Sequence, residues 1–168
     1  MDGMPAVDVN DARDPSGPDA QTIRVSAVVL RRPDGRTLSV RKDGTRMYMF
    51  PGGKPEPGET PREAAVREVA EETGIRLRPD ELTCLGVHEA AAANEAGFRV
   101  VGHVFALARP LAEHEVPVKA AEIADLTWLD PAAPKAPDGD GLAPLLSLIH
   151  IRRCRRIERC RSRWSPYH

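Results

Sequence analysis

The chain has 168 residues, 24 basic and 25 acidic side chains, and a formal net charge of −1. That near-neutrality averages two unlike parts: residues 150–168 hold seven Arg and one Glu, leaving 17 basic and 24 acidic residues, a net of −7, for the rest. An acidic body argues against nonspecific nucleic-acid binding, which needs a basic surface; no run approaches the roughly 18 apolar residues that cross a bilayer; and Cys84, Cys154 and Cys160 have neither zinc-ligand spacing nor the even number of a disulfide framework.

The length suits one domain with a real core. Residues 1–21 hold five Asp, three Pro and two Gly with almost no apolar pattern, which predicts a disordered leader. No charged start followed by an apolar run marks a signal peptide, so a reducing cytoplasm is the expected compartment. Ile23–Arg31 is rich in β-branched residues and predicts a strand; Pro33-Asp34-Gly35-Arg36 predicts a turn, and Thr37–Arg41 a returning strand. Met47–Phe50 reads as a short strand entering a Gly/Pro loop. Leu82–Ala93 and Phe98–Ala108 form a predicted pair around the turn Asn94-Glu95-Ala96-Gly97. Leu126–Leu129 is a last short strand, and Gly141–Ile149 starts an amphipathic helix. Strands with one helix in the middle and one at the end imply an α/β fold, helices packed on a mixed sheet.

The segment between the loop and the strand pair carries the chemistry. Thr60 is an N-cap type, Pro61 suits the first helical position, and Glu63 stands where a capping box needs it. Gly74 suits the left-handed residue that ends a helix. At about 100° per residue, Val66, Val69, Ala70 and Thr73 fall on one face, with Glu68 and Glu72 a turn apart on the opposite side and Glu71 beside them. Such like-charge pairs cost an isolated helix roughly 0.2–0.5 kcal/mol each. A hard divalent cation offsets that cost, because Mg²⁺ prefers carboxylate and water oxygens and is often shared with phosphates. A solvated acidic helix face is the plainer reading of these glutamates taken alone. The preceding loop weighs against it: Gly52 and Gly53 let backbone approach a ligand closely, and Pro51, Pro55 and Pro57 stiffen the bend.

The run Gly53 to Ile75 resembles the Nudix box, Gly-x5-Glu-x7-Arg-Glu-U-x-Glu-Glu-x-Gly-U with U apolar, and matches it at every specified position. Met-Phe-Pro-Gly-Gly at 49–53 is similar to the family's usual lead-in, and the flanking pattern extends the likeness from about Ile23 to Pro131. The resemblance implies a Nudix-type α/β/α sandwich over residues 22–148, with the box as a loop-helix-loop at one edge of the sheet. It implies hydrolysis of a pyrophosphate linkage in a nucleoside diphosphate derivative, with Mg²⁺ as cofactor and Mn²⁺ as a substitute. Glu68, Glu71 and Glu72 match the family's metal-binding glutamates, and the Gly52 carbonyl matches a backbone ligand. Glu68 also matches a general base whose position varies among relatives. Arg67 and Glu59 match the pair that braces the loop against the helix. Glu122 stands where many relatives carry a further acidic ligand or base; a surface glutamate is the alternative.

Other candidates lie outside or at the edge of the box. Gly53, Arg41, Lys42 and Arg46 are candidate phosphate contacts, the cations being equally compatible with solvated surface. Tyr48, where relatives often carry Trp, either stacks on a base or packs in the core. Asn94, Glu95 and His103 are candidates for the nucleoside side. Family subgroup markers are missing: Ala90 to Ala93 fill the positions where ADP-ribose and dinucleoside polyphosphate hydrolases tend to carry Pro and Tyr. Elimination therefore favours a MutT-like hydrolase of nucleoside triphosphates or modified nucleotides, a monomer or homodimer with a small-molecule substrate and no nucleic-acid or membrane partner. A non-catalytic nucleotide- or ADP-ribose-binding module is the alternative, though such modules commonly lose box glutamates and none is lost here. Residues 149–168 interleave Arg and Cys and break the composition within a helical pattern. A basic arm is one reading; a non-native read-through is the favoured one, and ending the chain after Leu148 is then expected to leave activity and melting temperature almost unchanged.

Overall fold

The computed structural model describes residues 21–92, 97–120, 122–147 and 149. The bulk of the expected leader, the turn residues Asn94 and Glu95, and the Arg/Cys tail after Ile149 lie outside the described residues. Eight strands and one long helix appear in the order β1 Gln21–Val29, β2 Thr37–Lys42, β3 Met47–Met49, β4 Gly52–Gly53, α1 Pro61–Thr73, β5 Leu82–Ala91, β6 Phe98–Leu107, β7 Ile123–Leu129 and β8 Gly141–Leu142. They form two four-stranded mixed sheets, ordered β4-β1-β6-β5 and β7-β2-β3-β8.

The first sheet is built on a long parallel pairing of β1 with β6, from Gln21 opposite Phe98 to Val29 opposite Ala106. Alternation along these central strands loads both faces with apolar residues, as a sheet covered on two sides requires. Val28 and Leu30 join Phe105 and Leu107 under Ala65 and Val69 of α1. Their neighbours Ala27 and Val29 join Val104 and Ala106 on the other face, beneath Leu146 and Ile149. Helical residues therefore lie on both sides of this sheet, the layering of an α/β/α sandwich. Among the described residues no helix is long and apolar enough to cross a membrane.

Several boundaries differ from the sequence expectation. β1 begins at Gln21, inside the expected leader, because that residue pairs with Phe98. Gly141 and Leu142 are not helical. They form β8, parallel to β3, with the Gly141 amide on the Arg46 carbonyl at 2.9 Å; the helical turn begins only at Pro144, a residue suited to a helix start. Ile149, placed in the tail by composition, is buried in the second core.

Candidate metal and diphosphate site

α1 starts and stops where its sequence dictates. Thr60 Oγ1 accepts from the Glu63 amide at 3.2 Å and the Glu63 carboxylate accepts from the Thr60 amide at 2.8 Å, closing the capping box. Gly74 ends the helix at φ 72°, with its amide on the Ala70 carbonyl at 3.0 Å. The buried face is set by Ala64, Ala65, Val69, Glu72 and Thr73, while Val66 is only partly buried against it. Glu72, expected on the outward side, is therefore an inward residue. It lies at the flank of the stripe, where the chain at 118–120 closes over it through the Val118 amide on the Thr73 carbonyl and the Ala120 amide on the Glu72 carbonyl.

The bend before α1 is pressed against both the sheet and the helix. Gly52 and Gly53 pair antiparallel with Ala27 and Ser26. A Cβ on Gly52 would stand 2.0 Å from the Ser26 carbonyl oxygen, and one on Gly53 would stand 2.3 Å from Glu68 Oε1. The sheet backbone leaves no room for a side chain at position 52, and one at position 53 would push the Glu68 carboxylate from its place. The Gly52 amide donates to Glu72 Oε2 at 3.1 Å, so bend and helix are joined through a carboxylate.

Arg67 organises the outer half of the site. Its Nε and Nη2 donate to Glu59 Oε1 and Oε2 at 2.8 and 2.9 Å, a bidentate pair of the kind guanidinium geometry favours. Its Nη2 also donates to the Lys54 carbonyl at 3.1 Å, and its Nη1 to Glu68 Oε1 at 2.9 Å and Glu71 Oε2 at 3.1 Å. The hydrogen bonds from Arg67, with the Glu56 amide, hold the Glu59 carboxyl below its ordinary range. Arg67 thus ties the loop to the helix and at the same time neutralises two outward-facing glutamates.

Lys42, from β2, serves the inner half. Its Nζ lies 2.9 Å from Glu72 Oε1, in an ion pair at a carboxylate only 5% exposed. Burial opposes the charge of both partners. On Lys42 the negative charges of Glu72, Glu68 and Glu122 outweigh burial and its pKa rises; on Glu72 burial wins over Lys42 and the Gly52 amide, and its pKa rises as well. The asymmetry has a simple source. Lys42 sees several carboxylates, whereas Glu72 sees one ammonium and the like charge of Glu68. Among the described residues Glu59, Glu68, Glu71 and Glu72 share two cationic ion-pair partners, Arg67 and Lys42, fewer positive charges than negative.

Glu68, Glu71, Glu72 and Glu122 line one recess of about 290 Å³. Among the described residues no three acidic, His or Cys side chains converge tightly enough to cage an ion as they stand. Two of the four are exposed and free of core packing, Glu71 and Glu122, and the two cations already present show what the recess attracts. The donor set, all hard carboxylate oxygen, fits a divalent ion of the Mg²⁺ type. Adjoining it is a cleft of about 480 Å³. Its lining combines charged side chains, Glu68, Glu71, Glu122, Arg67, Lys42 and Lys54, with apolar ones, among them Ile23, Val25, Val100 and Leu145. Strand register separates the two: Glu68 lies at Gly53, opposite Ser26, whereas Ile23 pairs with Val100 and Val25 with Gly102, on which Leu145 lies, further towards the start of β1.

Of the expected substrate-side residues, Lys42, Gly53 and Glu122 reach this cleft. Arg41, Arg46, Tyr48 and His103 are not among its lining residues. Tyr48 is buried, with its hydroxyl donating to Asp125 Oδ2, which is the core alternative left open by the sequence. Arg41 and Arg46 both turn to Asp140. The apolar end was not identified from sequence, although the alternation that puts Ile23, Val25 and Ala27 on one face of β1 carries the signal. The pairing of Lys42 with Glu72 had no sequence signal, since β2 and α1 meet only through the fold.

A NUDIX domain model matches residues 21–148, and the chain belongs to that family. A MutT-like protein of Streptomyces ambofaciens is 44% identical over 68 residues, 40% of this chain and 44% of that protein. A putative 8-oxo-dGTP diphosphatase of Bacillus subtilis is 64% identical over 50 residues, 30% of this chain and 31% of that protein. The chain thus spans less than half the length of these curated relatives. The structure of a MutT protein from Methanosarcina mazei Go1 superposes with a TM-score of 0.63 at 23% identity, covering 83% of this chain and 97% of the other, a likeness of fold.

Proposed function

We propose that the chain is a Mg²⁺-dependent pyrophosphohydrolase acting on a nucleoside diphosphate derivative, above all a nucleoside triphosphate or modified nucleotide. One observation carries this reading: a carboxylate-lined recess adjoins a cleft whose apolar lining, Ile23, Val25, Val100 and Leu145, lies along β1 away from the Gly53 bend. A polyphosphate with an organic group at one end has that polarity. The names of the relatives, a putative 8-oxo-dGTP diphosphatase and an RNA pyrophosphohydrolase of Halorhodospira halophila, support it.

Glu68, Glu71, Glu72 and Glu122 would hold the ion, with the Gly52 carbonyl as a backbone candidate. Bound there, the ion would supply charge neutralisation at the phosphates and make water more acidic. The protein's own groups do the rest. Arg67 and Glu59 fix Glu68 over Gly53, and Lys42 and Lys54 bring positive charge to the substrate's path. Glu68 accepts the proton of the attacking water. The water oxygen bonds to phosphorus, the bridging P–O bond breaks, and the proton leaves with the phosphate products. The apolar end takes the nucleoside and excludes water from it.

The test is a phosphate-release screen over nucleoside triphosphates, an 8-oxo-purine triphosphate, ADP-ribose, dinucleoside polyphosphates and a 5′-triphosphorylated RNA, with and without Mg²⁺. The expected result is Mg²⁺-dependent turnover of a mononucleotide substrate, with Mn²⁺ able to replace Mg²⁺. Tight nucleotide binding with no turnover of any compound would favour the binding module instead.

A further inference from the structure

The apolar end of the cleft is closed by a segment that hardly belongs to the sheet. Ala143, Pro144, Leu145 and Leu146 line it, yet they follow a strand of only two residues, Gly141 and Leu142. Besides its parallel pairing with Met47 and Tyr48, the strand and its exit are held by the Gly141 amide on the Arg46 carbonyl at 2.9 Å and the Ala143 amide on the Tyr48 carbonyl at 2.8 Å. So short an edge strand is weakly anchored by pairing alone.

Asp140 immediately precedes it. Its Oδ1 accepts from Arg46 Nε at 3.0 Å and its Oδ2 lies 3.2 Å from Arg41 Nε. Arg41 is itself held from the sheet: its Nη1 donates to the Thr45 carbonyl at 3.0 Å, and its guanidinium stands 5.9 Å from the centroid of the buried Tyr48 ring. The Asp140 side chain is 11% exposed, although its partner Arg46 is 79% exposed. On the far side, a Cβ on Gly102 would stand 2.6 Å from Leu145 Cδ2, so Leu145 lies directly on β6. Ala143 and Leu146 are held in the second core, and the charge clamp before the wall and the glycine beneath Leu145 fix its entry and its cleft-facing side.

We propose that Asp140 is a positioning residue for substrate binding, clamping Arg41 and Arg46 so that the Ala143–Leu146 wall bounds the apolar end of the cleft. The inference rests on the functional reading above, which gives that end to the substrate's organic part. Arg41 and Arg46 then act on the substrate through Asp140 and the wall, in place of direct phosphate contact. The contacts of Arg41 and Arg46 run to Thr45 and Asp140, while Glu68, Glu71 and Glu72 are held by Arg67 and Lys42, so loss of the clamp weakens binding and spares the chemical step.

The test uses the full chain, with Asp140→Asn, Asp140→Glu and Arg46→Ala. Steady-state kinetics are measured on the best nucleoside triphosphate of the wild type. Calorimetry follows binding of its non-hydrolysable imido analogue. Asp140→Asn is expected to raise KM and Kd about tenfold with kcat within about twofold, and Asp140→Glu to recover most of the loss. If the two arginines met phosphate directly, removing the carboxylate would free them, and KM would stay level or fall; that result, or a fall in kcat at constant KM, overturns the proposal. Should Asp140→Asn melt far below the wild type, Arg46→Ala decides, because it removes only the exposed arm. A rise of about threefold in KM supports the clamp, and an unchanged KM overturns it. Wild-type turnover with unaltered variants defeats the clamp alone. A wild type that neither binds nor cleaves any nucleotide defeats the functional reading, and the clamp with it.

Discussion

Glu68 and Glu72 are one helical turn apart and meet different cations. Glu68 lies against Gly53 and takes a hydrogen bond from Arg67, whereas Glu72 is buried, joined to the Gly52 amide and Lys42. In the proposed mechanism the first meets the reacting water and the second anchors the ion against the bend. Glu68→Gln keeps the volume and the Arg67 contact as an amide, so the melting temperature should hold while turnover falls at least about 100-fold, the usual scale for a base or electrostatic group. Turnover near the wild-type value would remove Glu68 from the mechanism. The box glutamates were legible because they recur at fixed spacing on a capped helix. The inward turn of Glu72 was not, because the 118–120 chain that buries it is distant in sequence and carries no pattern pointing to α1.

At the scale of elements, the crossover from β6 to β7 is held by its own charges. Arg109 donates from Nη1 and Nη2 to Glu115 at 2.6 and 2.8 Å, and the Ala112 amide donates to the same carboxylate at 2.7 Å. The Arg109 guanidinium, followed by the Ala112 amide, lowers the Glu115 pKa to about 2. A carboxylate held below its unfolded value stabilises the fold fully above that value, near 4.5, and loses its contribution as the pH falls towards 2. Glu115→Gln should therefore cost about 1 kcal/mol at pH 7, a modest figure because Arg109 is nearly half exposed. The difference between variant and wild type should shrink below pH 4.5, as thermal melts across pH 2–7 would show; a constant difference contradicts the assignment. The strands around this crossover were readable from β-branched runs and turn signals. The end of the chain was not: Gly141 and Leu142 continue an apolar period into Pro144, and only pairing with β3 makes them a strand.

For the whole molecule, the two cores carry the layering, and the second depends on the chain reaching Ile149. That residue is 4% exposed and packs with Ala27, Val29, Phe50 and Leu146. A chain ended after Leu148, expected from composition alone to be harmless, loses a core side chain, while one ended after His150 keeps it. The shorter chain should be less stable by about 2 kcal/mol, the low end for deleting a buried isoleucine, and should melt about 4–8 °C lower. Equal melting temperatures would mean that Ile149 contributes nothing to the core. The family fold was legible from the box and the strand rhythm. The division into two sheets and the acidic-to-apolar polarity of the cleft were not, since both arise from the β1–β6 pairing across more than seventy residues.

The account stands or falls on whether the carboxylates of α1 and the glycine bend hold a divalent ion. Calorimetric titration of the full chain with Mg²⁺, in wild type and Glu72→Gln, measures this without reference to any substrate. Saturable binding by the wild type, at least about tenfold weaker in the variant, is the predicted result. Identical titrations for the two proteins, or no binding by the wild type, would contradict it.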